Sequence, residues 1–296
     1  MTLRVPFAAS SLVLCLALAL QVLLLPGCAT LPPPRPVEMP AAEAIGRALL
    51  EEWDQGAHPQ TLQGLAKVKV TTPERSLSGT QVLLAGTPDR LRAETLSPFG
   101  TPLLVMTGNG SELAVLLPGD NLFYLGRATP ENLQRFTRLS LRLTDLVNIL
   151  LFQPPRITYQ QLVTFHRPEG GWRVVLESGP RRQELHFDAD HRLIEVAYLY
   201  LDELQLRLAY GDYEPGAQGL PRRIDLVLPL QKTEASLSFK ELEIDRPLAP
   251  EVFTLSPPAG ATVKLLDELP AAPALEGENR ATTPGGGSPA TQGGRE

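Results

Sequence analysis

Leu62-Gln63-Gly64-Leu65-Ala66-Lys67-Val68-Lys69-Val70 decides the fold class. Leu62, Gly64, Ala66, Val68 and Val70 recur at every second position, between mostly polar neighbours. A period of two places one set of side chains on one face of a strand, so the stretch reads as a half-buried β-strand.

The signature repeats downstream. Leu77–Ala85, Arg90–Ser97, Leu103–Thr107, Leu113–Leu117 and Leu122–Arg127 read as strands. Gly86-Thr87-Pro88-Asp89, Gly108-Asn109-Gly110 and Pro118-Gly119-Asp120 supply the turns between them. A second train runs through Ile157–His166, Trp172–Ser178, Arg182–Asp188, Leu193–Leu201, Leu204–Tyr210, Arg223–Leu230 and Ala235–Ile244, with Val252–Leu255 as a short last strand. Such a pattern predicts a mainly β fold: a strongly curved antiparallel sheet of about a dozen strands, an open half-barrel.

The break between the trains is helical. In Thr129-Pro130-Glu131-Asn132, Thr is a good N-cap, Pro suits the first helical position and Glu the first turn. Leu133 and Phe136 follow on one face. Leu143, Leu146, Val147 and Leu150 then form an apolar stripe at helical spacing, ending before Pro154-Pro155. Ala41–Trp53 reads as a further short helix from Ile45, Leu49 and Trp53. The two inserted helices are expected to cover the concave side of the sheet and make a container for an apolar ligand. Val68, Leu83, Leu91, Leu104 and Leu116 on strands, with Leu143, Leu146, Val147 and Leu150 on the helix, are the candidate acyl-chain cavity and its cover. Val174 and Leu206 share the inward pattern. Periodicity alone does not separate this container from the core of an ordinary sandwich.

The N-terminus gives an address. Arg4 precedes an apolar run, Val5–Leu25, which ends in Leu25-Pro26-Gly27-Cys28. This is a three-part secretory signal with the lipoprotein form of cleavage site. The Cys28 thiol takes a diacylglyceryl group as a thioether, small Gly27 lets a peptidase approach, and Leu25 fills a pocket. Pro26 and Gly27 would break a spanning helix. The expected layout is a lipoprotein signal peptide over 1–27, a Pro-rich tether over 28–42, a lipid-binding body over 43–265 and a disordered tail over 266–296. An Asp after the lipidated Cys favours retention in the inner membrane. Ala29 stands there instead, so a lipid anchor in the outer membrane, facing the periplasm, is expected.

Composition excludes several functions. A net charge of −6 gives no reason to expect nucleic acid as a partner. Cys15 leaves with the signal peptide, so the mature chain keeps no thiol for catalysis, a disulfide or zinc. No Gly-x-Ser-x-Gly elbow, His-Glu-x-x-His helix or phosphate loop occurs. The expectation is a protein that is not an enzyme, with no cofactor and no metal. His186, Asp188 and Asp190 alternate onto one face beside His191, but Asp188 to His191 also reads as a hairpin turn, where such residues are common.

Asp89-Arg90-Leu91-Arg92-Ala93-Glu94-Thr95-Leu96-Ser97-Pro98-Phe99-Gly100 carries a family resemblance. With Leu62-Gln63-Gly64-Leu65, the helix Leu143–Phe152 and Leu220-Pro221-Arg222-Arg223-Ile224-Asp225-Leu226, it resembles the LolB-type outer-membrane lipoprotein receptors and their LolA-like carrier-fold relatives. The likeness covers roughly Leu62 to Ile244. It departs at Leu151-Phe152-Gln153-Pro154, where the family usually has Leu-Gly-Leu-Pro, and in the Gly-rich tail. The resemblance implies a monomeric acceptor that takes acylated lipoprotein cargo from a periplasmic lipoprotein carrier and passes it into outer-membrane lipid. It also implies that Phe99, on a turn shaped by Pro98 and Gly100, is a membrane-insertion element. The alternatives are a lipid carrier or sensor of the same fold, and a structural envelope lipoprotein.

Overall fold

Thr61–Thr71 (β1) does what its alternation demands: Leu62 and Ala66 are fully buried while Gln63 and Lys67 face solvent. The computed structural model describes residues 42–56, 58–214 and 219–270. The lipobox at Cys28, the Pro-rich stretch and the chain after Pro270 lie outside the described residues.

From β1 the chain meanders through Ser76–Gly86 (β2), Arg90–Leu96 (β3), Pro102–Asn109 (β4), Glu112–Leu117 (β5) and Leu122–Arg127 (β6). Two helices follow, Pro130–Thr137 (α2) and Leu143–Leu150 (α3); the helix Ala42–Gln55 (α1) precedes the sheet. A second meander runs Gln161–His166 (β7), Trp172–Ser178 (β8), Arg181–Phe187 (β9), Leu193–Tyr200 (β10), Glu203–Tyr213 (β11), Pro221–Leu228 (β12) and Thr233–Ile244 (β13). A short strand, Thr262–Leu265 (β14), is the last strand among the described residues. All join one sheet in the order β14-β6-β5-β4-β3-β2-β1-β13-β12-β11-β10-β9-β8-β7. The sheet is mainly antiparallel, curved and not closed. Its two halves meet along one seam, β1 against β13, with Val70 opposite Ala235 and Leu62 opposite Ile244.

Two expectations about the end of the chain are corrected. Val252–Leu255 is not a strand; Pro250–Phe253 forms a single 3₁₀ turn. Pro250 presets the turn, and Phe253 is buried beneath the Arg90 guanidinium, which lies 5.3 Å from its ring centroid. Among the described residues the last strand is β14, which pairs parallel to β6, so the sheet is mixed and has fourteen strands. The body also runs past residue 265. Leu266 is fully buried against Gly126, where an added Cβ would come within 2.6 Å of the Leu266 side chain.

The helices share the concave face. Thr129 caps α2, its side chain accepting from Asn132 N, and Phe136 packs on Tyr124 of β6 with ring centroids 5.5 Å apart. Asp267 holds the start of α2 by accepting from Asn132 Nδ2 at 2.9 Å. One end of α3 sits on β4, where Gly108 lets Leu143 approach; a Cβ there would lie 2.8 Å from Leu143 Cδ2. Its other end reaches β11, where Phe152 packs edge-on to Tyr210 at 6.0 Å. So α3 spans the concavity like a bar across a trough. At the far side α1 packs on β7 and β8, with Gly46 against Leu162 and Thr164.

Candidate functional site

Register decides which side chains face the trough. Leu83 pairs with Ala93, Ala93 with Met106 and Met106 with Val115, so these four share the concave face. Gln81, Thr95 and Leu104 form the next row. Because α3 crosses above the sheet, the space beneath is only partly filled. It remains as a cavity of about 350 Å³.

The floor is apolar. Val68 and Val70 come from β1, Leu77, Gly79 and Leu83 from β2, Leu91 and Ala93 from β3, Leu104 and Met106 from β4, and Ala235 and Leu237 from β13. The roof is Leu146 and Leu150 of α3 with Phe136 and Leu139 beside the α2–α3 link. Among the polar lining groups, Gln81 and Thr95 satisfy each other, Gln81 Nε2 donating to Thr95 Oγ1 at 3.1 Å. Thr137 Oγ1 donates back to Leu133 O at 2.8 Å. Such pairing leaves little hydrogen-bonding demand inside, so the cavity suits an apolar chain better than a polar ligand.

Burial deepens along the strands and shows where the cavity opens. Leu77 and Ser78, at the start of β2, are exposed, whereas Leu83 is buried. Leu104 is half-buried and Met106 buried. The mouth therefore lies at the end of the sheet that carries the β1–β2 turn, Thr72 to Arg75. Arg138 stands there as the C-cap of α2, at φ 66°, and among the described residues is the one charged residue of the lining.

Of the residues singled out in the sequence, Val68, Leu83, Leu91, Leu104, Leu146 and Leu150 line this cavity together. Leu143 and Val147 do not touch it; both are buried where α3 rests on the sheet. Val174 is buried in the core and Leu206 packs half-buried against it, and neither lines the cavity. Leu116 is not in the lining either. It pairs with Val105 and Phe123, one residue out of phase with the Met106–Val115 row, and so faces the outer side of the sheet. Met106, Arg138, Leu139 and Leu237 are among the further lining residues, and the sequence does not mark them as cavity positions.

Phe99 stands at the same end as the mouth, in the β3–β4 loop, and is 94% exposed. Gly100 N donates to Ser97 O at 3.0 Å, and Gly100 takes the positive φ of 81°. Ser97 Oγ accepts from Phe99 N and from Thr101 N, each at 3.2 Å. The loop is thus fixed by its own hydrogen bonds, and the Phe99 ring does not contribute to folding it.

The polar cluster near residue 188 is a turn. Asp188 Oδ1 accepts from Asp190 N and Arg192 N, each at 2.9 Å, and its other oxygen pairs with Arg192. His191 Nδ1 lies 3.0 Å from Glu52 Oε2 of α1. On the outer face Glu184 lies between His186, Arg173 and Arg182. The neighbouring His186 ring foremost, then the two guanidiniums, hold its carboxyl below the usual carboxylate range, against the opposing effect of burial. Among the described residues no helix is long and apolar enough to cross a membrane.

No family model and no curated protein matches the chain. Solved structures similar to it include a DUF1329 family protein from Desulfovibrio piger, 14% identical, covering 72% of this chain and 97% of that one at a TM-score of 0.49. Another is a putative outer membrane lipoprotein-sorting protein domain from Vibrio parahaemolyticus, 14% identical, covering 71% and 97% at 0.46. A third is a LolA superfamily protein from Nitrosomonas europaea, 13% identical, covering 71% and 97% at 0.43. Likeness at these levels carries no inference about activity.

Proposed function

We propose that this protein is a lipid-anchored acceptor that holds the acyl chains of lipoproteins and inserts them into the bacterial outer membrane. One observation carries the reading: a roofed apolar cavity opens at the end of the sheet where Phe99 stands exposed. A buried apolar chain in the cavity gains roughly 0.8 kcal/mol per methylene removed from water. A bilayer offers the same gain, so a chain moves on when the bilayer lies close to the mouth, with no covalent step. In this reading Cys28 carries the anchor, Phe99 enters the lipid, and α3 is the movable cover. Cargo arrives from a soluble periplasmic carrier, and the acceptor works as a monomer. The test is transfer of an acylated lipoprotein from a soluble carrier to vesicles bearing this protein. Transfer no faster than with empty vesicles would refute the delivery step.

The cavity's size favours a second reading. About 350 Å³ lies near the lower end of the range for small-molecule sites, roughly 300–1,000 Å³. That suits one chain better than three, and hence a carrier of free lipid. Lipid extracted from the purified protein distinguishes the two: free fatty acid or phospholipid favours this alternative.

A further inference from the structure

Apolar surface is unevenly placed on this protein. Among the described residues, Leu77, Phe99, Leu103, Tyr200, Leu201 and Leu230 are large, hydrophobic and exposed, and all lie at the mouth end of the sheet. The other two such residues, Val263 and Leu265, lie on the edge strand β14, and none lies at the opposite end. The registers fix this placement. Thr71 pairs with Glu234, Leu228 with Thr233 and Tyr200 with Glu203, so the β1–β2, β12–β13 and β10–β11 turns share one end.

Leu201 is the unusual one. It forms the β10–β11 turn with Asp202, and the two have φ of 50° and 64°. A two-residue hairpin with both residues left-handed prefers Asn-Gly or Asp-Gly. A branched apolar residue is disfavoured there by its own backbone. It is also 70% exposed, so water disfavours it as well. The turn is held by Leu201 N donating to Pro180 O at 2.8 Å and by Arg182 Nη1 donating to Asp202 Oδ1 at 2.7 Å, bonds that need no leucine side chain. Tyr200 beside it is half-exposed, with the apolar body and polar tip that suit a membrane interface.

We infer that the Tyr200–Leu201 hairpin tip, with Leu230 on the adjacent β12–β13 turn, is a second lipid-inserting foot, distinct from the Phe99 loop. Its partner is the surface of a lipid bilayer. The β3–β4 loop and the β10–β11 turn are six strand spacings apart, about 29 Å along the sheet at about 4.8 Å each. The strands at the cavity mouth, β2, β1 and β13, lie between them. Two feet on either side hold the mouth against the lipid, where one would let the body tip away. The path of the chain agrees. In α1, Gly46 lies beside Leu162 near the mouth end, and Glu52 reaches His191 at the opposite end, so the helix begins on the mouth side. With Cys28 the proposed anchor, a helix that begins on the mouth side fits a mouth facing lipid.

The inference rests on the proposed lipid-facing orientation and does not need the cavity to be filled. Leu201→Cys, Leu230→Cys, Phe99→Cys and, at the opposite end, Ala189→Cys each give the mature lipidated protein one labelling site for an environment-sensitive dye. The proteins are reconstituted in phosphatidylethanolamine–phosphatidylglycerol vesicles containing nitroxide-labelled lipid. Quenching at 201, 230 and 99 is expected to exceed that at 189 several-fold. Quenching at 99 alone overturns the second foot and leaves the Phe99 reading standing. Fatty-acid binding, measured on the same samples, reports the cavity separately: its failure with quenching at 201 intact sinks lipid carriage and keeps the foot. Leu201→Asn supplies the structural control, because Asn tolerates the left-handed turn. Its melting temperature is expected to equal or exceed the parent's while quenching at a label on position 230 falls at least twofold. A lower melting temperature would make Leu201 a structural residue and overturn the inference.

Discussion

At the scale of single residues, exposure and charge give two direct tests. Phe99 touches so little of the body that Phe99→Glu is expected to leave the circular dichroism spectrum and the melting temperature unchanged. Fatty-acid binding should also survive, while release into vesicles fails, because a carboxylate on the loop tip opposes entry into the acyl region. Global unfolding or normal release would each remove Phe99 from the mechanism. Glu184 tests the outer face. Its folded-state pKa is depressed by His186, Arg173 and Arg182, so its stabilisation is present above the carboxylate's unfolded pKa and lost as pH falls through the folded value. Glu184→Gln should cost about 1 kcal/mol at neutral pH, the upper end for pairs of this exposure. The gap between parent and variant should close in acid. Denaturant melts at neutral pH and in acid measure it, and a gap that widens in acid contradicts the assigned sign.

Elements carry the next set of consequences, and they show what the sequence could reveal. Leu146→Asp with Leu150→Asp places two charges in the cavity roof and should weaken fatty-acid binding by about tenfold or more. A double variant that binds like the parent would mean that α3 is not the cover. Gly46→Ala would drive a methyl into Thr164 Oγ1 and unseat α1, at a cost of about 1–3 kcal/mol in a thermal melt. The meanders were legible because one face of each strand is buried and the other wet, which is all that period two encodes. On β5 that signal failed. Leu113 to Leu117 is apolar throughout, so alternation had no phase, and only pairing with β4 shows that Leu116 faces outward. Thr262–Leu265 escaped notice because all four residues are exposed and the strand joins β6 in parallel, held by backbone and by Asp267. Val252 to Leu255 is rich in β-forming residues, but Pro250 commits the chain to a turn. The cavity was legible as a set of inward positions. Which of them line a void depends on the height at which Leu143 and Gly108 seat α3, a long-range contact that leaves no local pattern.

For the whole molecule, the body over residues 42–270 is expected to fold without the segments on either side of it. Truncation after Pro270 should move the melting temperature by no more than about 1–2 °C, since a segment rich in Ala, Pro, Gly and Thr adds little buried apolar surface. The cut belongs there because Arg135 Nη2 donates to Pro270 O at 2.7 Å. Cys28→Ala should abolish incorporation of labelled fatty acid; label persisting on the variant would refute the anchor. The seam between β1 and β13 has its own consequence, in time. The chain emerges N-terminus first, from a ribosome or across a membrane, so β1 appears early and β2 can zip to it at once because a short turn joins them. The other edge of β1 must wait until Thr233–Ile244 has been made, with every strand of the second meander emerging in between. Until then the incomplete chain carries a half-trough with a raw edge at its centre, the condition in which strands pair with the wrong neighbour. Closing that seam is the step of highest contact order, so it should set the pace of folding and leave the chain dependent on holding chaperones until its last long strand arrives.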